Sequence, residues 1–272
     1  MPNNTVINPL QPAWEAAVTN LIASLGNLGA FVVLTFLFYD LPFLVYNTIQ
    51  FYALKHGWWE KWRIQKGKEP NPELVVKARG DMAFLHFVYN PAVYSAIYYT
   101  WRFFTDFDLT SPLPSPLKLL GQYLICIAFE DTTFYWSHRL LHLPSVYKYV
   151  HKPHHEFYVP IGIASDYGGY LDNLLEDIIP VFGGSIIFNV HPLAYLLFVF
   201  SRASMAFNAH SGYQLPFTIF NLFPSIFQST RRHDWHHSSN KGSFGSFTNF
   251  WDRLMGTDVD FETSFAKASK SE

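Results

Sequence analysis

Nine of the chain's 12 histidines lie in two short windows, residues 138–155 and 210–237, and any fold must account for both together. His138 and His142 stand at i and i+4, one face of a helix. His151-Lys152-Pro153-His154-His155 offers spacings of three and four, and His233-Asp234-Trp235-His236-His237 repeats that pattern, with His210 completing the set. Pro153 disfavours helical geometry at Lys152, and a helix beginning at or near Pro153 accommodates it. Imidazole suits zinc, copper, iron and nickel, so ligand type alone selects no metal. The number is more selective. A single zinc ion takes about three or four protein ligands, so nine clustered imidazoles are too many for one metal and suit two. Other metal motifs fail on detail. A zinc-protease H-E-x-x-H starting at His155-Glu156 needs a second histidine where Val159 stands, and the Glu-x-x-His sets of soluble di-iron bundles are missing. His56, His86 and His191 stand apart from the windows and read as hydrogen-bonded polar residues.

Composition sets the surroundings. Aromatic residues make up 19% of the chain and charged residues only 15%, against roughly 25% charged in an average soluble domain. Mean hydropathy is positive, +0.06, which points to lipid as part of the solvent. A net charge of -2 suggests no nucleic-acid partner. The single cysteine, Cys126, excludes a disulfide framework within the chain and a cysteine-based zinc site. Residues 1–21 lack a basic n-region, so no cleaved signal peptide is expected. Asn3-Asn4-Thr5 forms a glycosylation sequon.

Apolar runs cover about 29–54 (interrupted by Asp40-Leu41-Pro42), 82–104 and 119–136, each near the ~20 residues that cross a bilayer. Between the first two, residues 55–79 carry seven basic and three acidic side chains, which puts this loop in the cytosol. The loop with Asp106, Asp108 and Pro112, Pro114 and Pro116 faces the other side. Two later runs, about 174–189 and 192–207, meet at Val190-His191 and read as a re-entrant or full hairpin, which returns the chain to the side it left. Both histidine windows then share one membrane face. The expectation is an all-α fold: a polytopic membrane helical bundle with a cytosolic histidine-rich di-metal cap. It forms one integral-membrane domain over 1–272, with spans and the basic loop in about 29–118 and a catalytic region in about 119–260. Residues 261–272 read as a polar, disordered end.

The stretch from about 131 to 258 resembles the fatty acid hydroxylase/sterol desaturase superfamily, and within it most closely the C-4 methylsterol monooxygenases. The residues that carry the resemblance are Trp136-Ser137-His138-Arg139-Leu140-Leu141-His142, Tyr149-Val150-His151-Lys152-Pro153-His154-His155-Glu156-Phe157, His210-Ser211-Gly212-Tyr213 and Arg232-His233-Asp234-Trp235-His236-His237. Trp251-Asp252-Arg253-Leu254-Met255-Gly256-Thr257-Asp258 completes them. The three histidine boxes belong to the whole superfamily; His-Ser-Gly-Tyr and Trp-Asp-Arg-x-x-Gly-Thr-Asp lean towards the methylsterol branch. The chain departs from that branch at Asp166-Tyr167-Gly168-Gly169-Tyr170, where Gly169 stands in place of a histidine.

The resemblance implies an oxygen-dependent monooxygenase of sterol biosynthesis that oxidises a C-4 methyl group. It further implies two iron ions, O2, and electrons from NAD(P)H through a reductase and cytochrome b5, in the endoplasmic reticulum membrane with the site on the cytosolic face. The implied metal ligands are His138, His142, His151, His154, His155, His210, His233, His236 and His237. Asp131, Asp166 and Asp234 sit beside ligands and read either as acceptors that orient imidazoles or as surface carboxylates. Phe157, Tyr158, Tyr167 and Tyr213 read either as the lining of a lipid channel or as packing. The alternatives are a sterol desaturase or fatty-acyl hydroxylase of the same superfamily, and a non-catalytic sterol-binding relative.

Overall fold

Long apolar runs satisfy their own backbone polar groups most completely as helices. The computed structural model, which describes residues 8–268, has helices, turns and two isolated bridges, and no strand among the described residues. The sequon at residues 3–5 and residues 269–272 lie outside them.

Helix α1, Gln11–Phe38, runs into α2, Asp40–His56, through Tyr39, with a break at Gly26 (φ 70°). The combined stretch Gln11–His56 is the one among the described residues long and apolar enough to cross a membrane. It begins well before the span expected at 29–54. Asp40-Leu41-Pro42 does not interrupt it, because Pro42 falls in the first turn of α2, where its missing N–H costs nothing. The Asp40 carboxylate is buried yet fully engaged: His86 Nδ1 lies at 2.7 Å, Asn90 Nδ2 donates at 2.7 Å and the Tyr94 hydroxyl at 2.6 Å. A buried carboxylate is tolerable only with such partners.

Helix α2 stops at Gly57, whose φ of 66° is the left-handed C-terminal turn glycine adopts freely. Helix α3, Pro72–Phe84, starts on Asn71, whose side chain accepts the Glu73 N–H at 3.0 Å. It passes through a π-helical turn, Leu85–Tyr89, into α4, Asn90–Phe104. The basic segment expected as a loop over 55–79 is therefore helical from Pro72 onward. Helix α5, Pro116–Leu141, outruns the apolar stretch 119–136 and carries His138.

After the short α6, Pro144–Tyr147, and two 3-10 turns come α7, Tyr170–Asn173, a π-helical turn, Leu174–Phe182, and α8, Gly183–Ile187, in unbroken succession. The chain reverses at Asn189 (φ 43°) and returns as α9, Pro192–His210. Helix α9 is the axis of the fold: it is buried along most of its length and packs on α1, α2 and α5. The cap follows as α10, Ile219–Leu222, α11, Thr230–Ser239, α12, Phe250–Met255, and α13, Val259–Ala268. The end expected to be disordered from residue 261 is helical to Ala268. Phe261 is buried beneath the Arg232 guanidinium, which also pairs with Glu262.

An aromatic cluster of Phe31, Tyr98, Trp101, Phe107 and Tyr195 ties α1, α4 and α9 together, with Phe31 stacked on Tyr195 at 5.7 Å. Beside it α9 buries Arg202, whose Nε donates to Glu130 at 2.7 Å and whose NH2 group donates to Asp177 at 3.3 Å. Removing one partner of such a buried pair strands the other charge at a cost of roughly 3–5 kcal/mol. Arg202→Met is therefore expected to lower unfolding stability in detergent by about that amount. A loss within experimental error would show that the ion pair does not hold α9 to its neighbours.

Candidate metal centre

The nine windowed histidines arrive from four directions. His138 sits on the last turn of α5 and His142 just beyond it; His151 lies in the following turn; His154 and His155 lie on a 3-10 turn, His154–Glu156, that begins after Pro153. His210 closes α9, and α11 presents His233, His236 and His237. Helix α11 is held at its start by Ser229, whose hydroxyl accepts the Arg232 N–H, and ends at Asn240 in the left-handed region (φ 56°).

These residues converge into two groups whose donor atoms lie within 4.8 Å of one another: His138, His142, His151, His155 and His236 in the first, and His154, His210, His233 and His237 in the second. The groups adjoin, with the rings of His155 and His237 4.7 Å apart.

The hydrogen bonds at the back of the rings fix what the front can do. Nδ1 of His138 donates to the Phe244 carbonyl at 3.0 Å, that of His154 to the Tyr167 carbonyl at 2.9 Å, that of His210 to the Ala206 carbonyl at 2.8 Å, and that of His236 to the Gly242 carbonyl at 2.6 Å. Nδ1 of His151 donates to Asp172 at 2.7 Å. A carbonyl only accepts, so each of these Nδ1 atoms carries the proton and, in a neutral ring, Nε2 carries a lone pair. Burial keeps the rings neutral: it pushes His154 down to about 4 and His151 and His236 down to about 3, from an ordinary 6.5.

The consequence is that the Nε2 lone pairs of these five rings point into the cluster. Nε2 of His154 and Nε2 of His210 are 3.3 Å apart with no proton between them. Nε2 of His210 lies 2.8 Å from that of His233, His233 lies 3.2 Å from His237, and His151 lies 3.1 Å from His155. The buried Nε2 atoms of His138, His142 and His236 have no hydrogen-bond partner. Buried polar atoms are otherwise almost always satisfied. What satisfies converging imidazole lone pairs is a cation, and neutral imidazole held from behind by a carbonyl or carboxylate is the usual form of a metal-binding histidine. The donor set fits two metal ions, one in each group.

The loop behind the site is fastened by carboxylates. Asp252 accepts the N–H groups of Phe244 at 2.9 Å and Gly245 at 2.8 Å, and the Thr257 hydroxyl at 2.6 Å. These bonds position the Phe244 carbonyl that receives His138. Asp131 accepts the Thr248 N–H at 2.9 Å and its hydroxyl, holding the same loop further along. Asp166 lies 3.6 Å from Nε2 of His86, and Asp234 accepts from Gln65 Nε2 at 3.1 Å. None of Asp131, Asp166 and Asp234 receives a clustered imidazole; the carboxylate that does is Asp172. Acidic residues inside an apolar helical run, where only a partner makes burial tolerable, are the signal that could have pointed to it.

The four aromatic residues expected along a channel are spread more widely. Phe157 is buried against Tyr167, whose carbonyl receives His154; Tyr158 is half exposed; Tyr213 accepts from Arg63 at 3.3 Å. His56, His86 and His191 stay out of both groups. His86 serves Asp40, and Nδ1 of His191 caps α9 by accepting the Leu193 N–H at 3.0 Å. At Gly169 an added Cβ would meet nothing nearer than the Val150 carbonyl at 3.9 Å.

Comparison with known proteins bears on this arrangement. The fatty acid hydroxylase family pattern matches residues 123–257. Methylsterol monooxygenase 1 of Rattus norvegicus is 32% identical over 275 residues, covering 99% of this chain and 90% of that protein. Fatty acid hydroxylase ahd1 of Mycosarcoma maydis is 34% identical over 190 residues, 70% of this chain and 47% of that protein. Very-long-chain aldehyde decarbonylase GL1-8 of Oryza sativa subsp. japonica is 28% identical over 267 residues, 96% of each. No solved structure matches.

Gly242 tests the back-side bonds. Its φ is +38°, and a methyl group there would collide with the Thr257 carbonyl. Gly242→Ala should displace the carbonyl that fixes His236 and weaken metal retention about 10- to 100-fold. Metal content after graded chelation checks this; unchanged retention would show that the carbonyl is dispensable.

Proposed function

The chain belongs to the fatty acid hydroxylase family, and from that membership we propose that it is a membrane-embedded, oxygen-dependent di-iron monooxygenase that oxidises a C-4 methyl group of a sterol. The observation that carries the chemistry is the convergence of nine imidazoles in two adjoining groups, five of them held from behind so that their Nε2 lone pairs point inward. The substrate rests on the near full-length alignment with methylsterol monooxygenase 1 and on the His-Ser-Gly-Tyr and Trp-Asp-Arg segments.

Iron, when bound, supplies dioxygen activation: one oxygen atom enters a C–H bond and the other leaves as water, with two electrons and two protons consumed. The electrons are assigned to NAD(P)H through a reductase and cytochrome b5. The chain's own part is to hold, orient and shield. His138, His142, His151, His155 and His236 would hold one ion and His154, His210, His233 and His237 the other. Phe244, Gly242, Tyr167, Ala206 and Asp172 keep five of those rings, His138, His236, His154, His210 and His151, from turning.

A cavity of about 30 Å³ borders His138, His154, His210 and His233 and is otherwise lined by Phe134 and Met205 and by the charged residues Glu176, Asp177 and Arg202. A space of this size admits a methyl-sized group or a few small molecules, not a ring system. The body of a lipid must therefore lie elsewhere. A groove of about 890 Å³ between α2 and α3, lined by Phe43, Leu44, Phe51, Met82, Phe87 and Ile163, is large and apolar enough to take it. The segment 161–165 lies between the two spaces, with Ile161 and Ile163 on the groove and Ser165 on the cavity.

The membrane setting is supported by the Gln11–His56 stretch and by bulky apolar side chains turned outward on other helices, Phe103 (83% exposed), Phe104, Leu117 and Ile187 among them. Exposed apolar surface on this scale belongs against lipid or a partner. The excess of basic over acidic residues in 55–79 assigns that side to the cytosol, as expected for a multi-pass protein of the endoplasmic reticulum.

Microsomes containing the protein, supplied with NADH, oxygen and a mixture of 4,4-dimethyl-, 4α-methyl- and 4-desmethylsterols, should oxidise a C-4 methyl group, read by mass spectrometry. A new double bond in a desmethylsterol would make the protein a desaturase. Hydroxylation of fatty-acyl chains alone, or loss of carbon from long-chain aldehydes, would move it to another branch. Bound sterol without iron or product would make it a binding protein. His154→Ala and His236→Ala should each abolish turnover and lower iron content with membrane insertion intact; full iron and turnover in either would overturn the ligand assignment.

A further inference from the structure

Glu176 is a buried acid that the nine-histidine account leaves unused. It stands in the π-helical turn Leu174–Phe182, and such turns recur at functional sites because they re-aim side chains that a regular helix would point elsewhere. Its Oε1 is buried without a hydrogen-bond partner and lies 3.8 Å from Nε2 of His138, itself buried and unpartnered. Its Oε2 lies 3.8 Å from Nδ1 of His151, but the proton there is already given to Asp172 at 2.7 Å. The nearby guanidinium of Arg202 bonds Glu130 and Asp177 instead.

His138 gives its Nδ1 proton to the Phe244 carbonyl, so its Nε2 lone pair faces the Glu176 carboxyl group. Ligands bound to one ion at about 2.0–2.2 Å lie roughly 3–4 Å apart, which the 3.8 Å separation matches. A carboxylate beside imidazoles is also a donor set that ferrous iron accepts. Resting on the di-iron reading above, we propose that Glu176 is a ligand of the ion held by His138, His142, His151, His155 and His236. Glu176 would give that ion an anionic oxygen donor beside its imidazoles. The cavity borders both groups, with His138 and Glu176 on one side and His154, His210 and His233 on the other.

Mössbauer spectra of full-length protein loaded with 57Fe(II) test this, together with iron retention against a graded chelator. The wild type should hold two irons per chain and give two distinct quadrupole doublets of equal area. Glu176→Gln, which keeps size and hydrogen-bonding capacity, should shift one doublet, leave the other in place, and release that iron at about 10- to 100-fold lower chelator. Glu176→Asp, which keeps the charge but shortens the reach, should shift the same doublet. Unchanged doublets and retention in the Gln variant would overturn the proposal while leaving the di-iron reading intact. Two identical doublets in the wild type would overturn it whether or not either variant folds. Fewer than two irons in the wild type would fail the di-iron reading, and the proposal with it.

Discussion

The site depends on hydrogen bonds at the back of its imidazoles. Each Nδ1–H that meets a carbonyl is a modest interaction, about 1 kcal/mol net, but it decides which nitrogen carries the proton and which way the ring faces. With His138, His151, His154, His210 and His236 fixed this way, their lone pairs meet in the interior. Each buried polar atom left unsatisfied costs roughly 1–3 kcal/mol, and a whole domain is stable by only about 5–15 kcal/mol. Three orphaned Nε2 atoms, on His138, His142 and His236, are therefore a large burden for the metal-free cap. A metal ion bound in each group would satisfy these atoms.

The carbonyls must themselves be held, and this explains the polar residues far along the chain from the ligands. Asp252 gathers the Phe244 and Gly245 N–H groups, and Asp131 on α5 fastens Thr248. The Trp251–Asp258 segment contributes no side chain to either histidine group. It works by shaping the turn whose Gly242 and Phe244 carbonyls receive His236 and His138. On the other side α9 brings His210 inward at its last turn, and its burial against α1, α2 and α5 gives the cap a rigid floor.

The histidine pattern was legible in the sequence because metal chemistry demands several side chains of one type at helical spacings. All nine windowed histidines lie in the two groups, and the three held apart stay apart. The positioning carboxylate was not legible. Asp131, Asp166 and Asp234 neighbour the histidine motifs or the second box in sequence but turn to Thr248, His86 and Gln65, whereas Asp172, well removed from the boxes, faces His151. Adjacency along a helix does not determine which face a residue shares with the site. Backbone carbonyls leave no trace in residue identity at all. Element boundaries were misjudged where hydropathy stood in for helicity: α1 begins among polar residues at Gln11, α3 rises through basic ones, and α13 forms where Arg232 covers Phe261.

The central claim is that the converging imidazoles are a cage for two metal ions. X-ray absorption at the metal edge of the purified full-length protein tests it most directly. The account predicts bound metal in a first shell dominated by nitrogen, with the outer-shell scattering characteristic of imidazole. An oxygen-dominated shell, or protein that folds and stays intact with no metal at all, would contradict it.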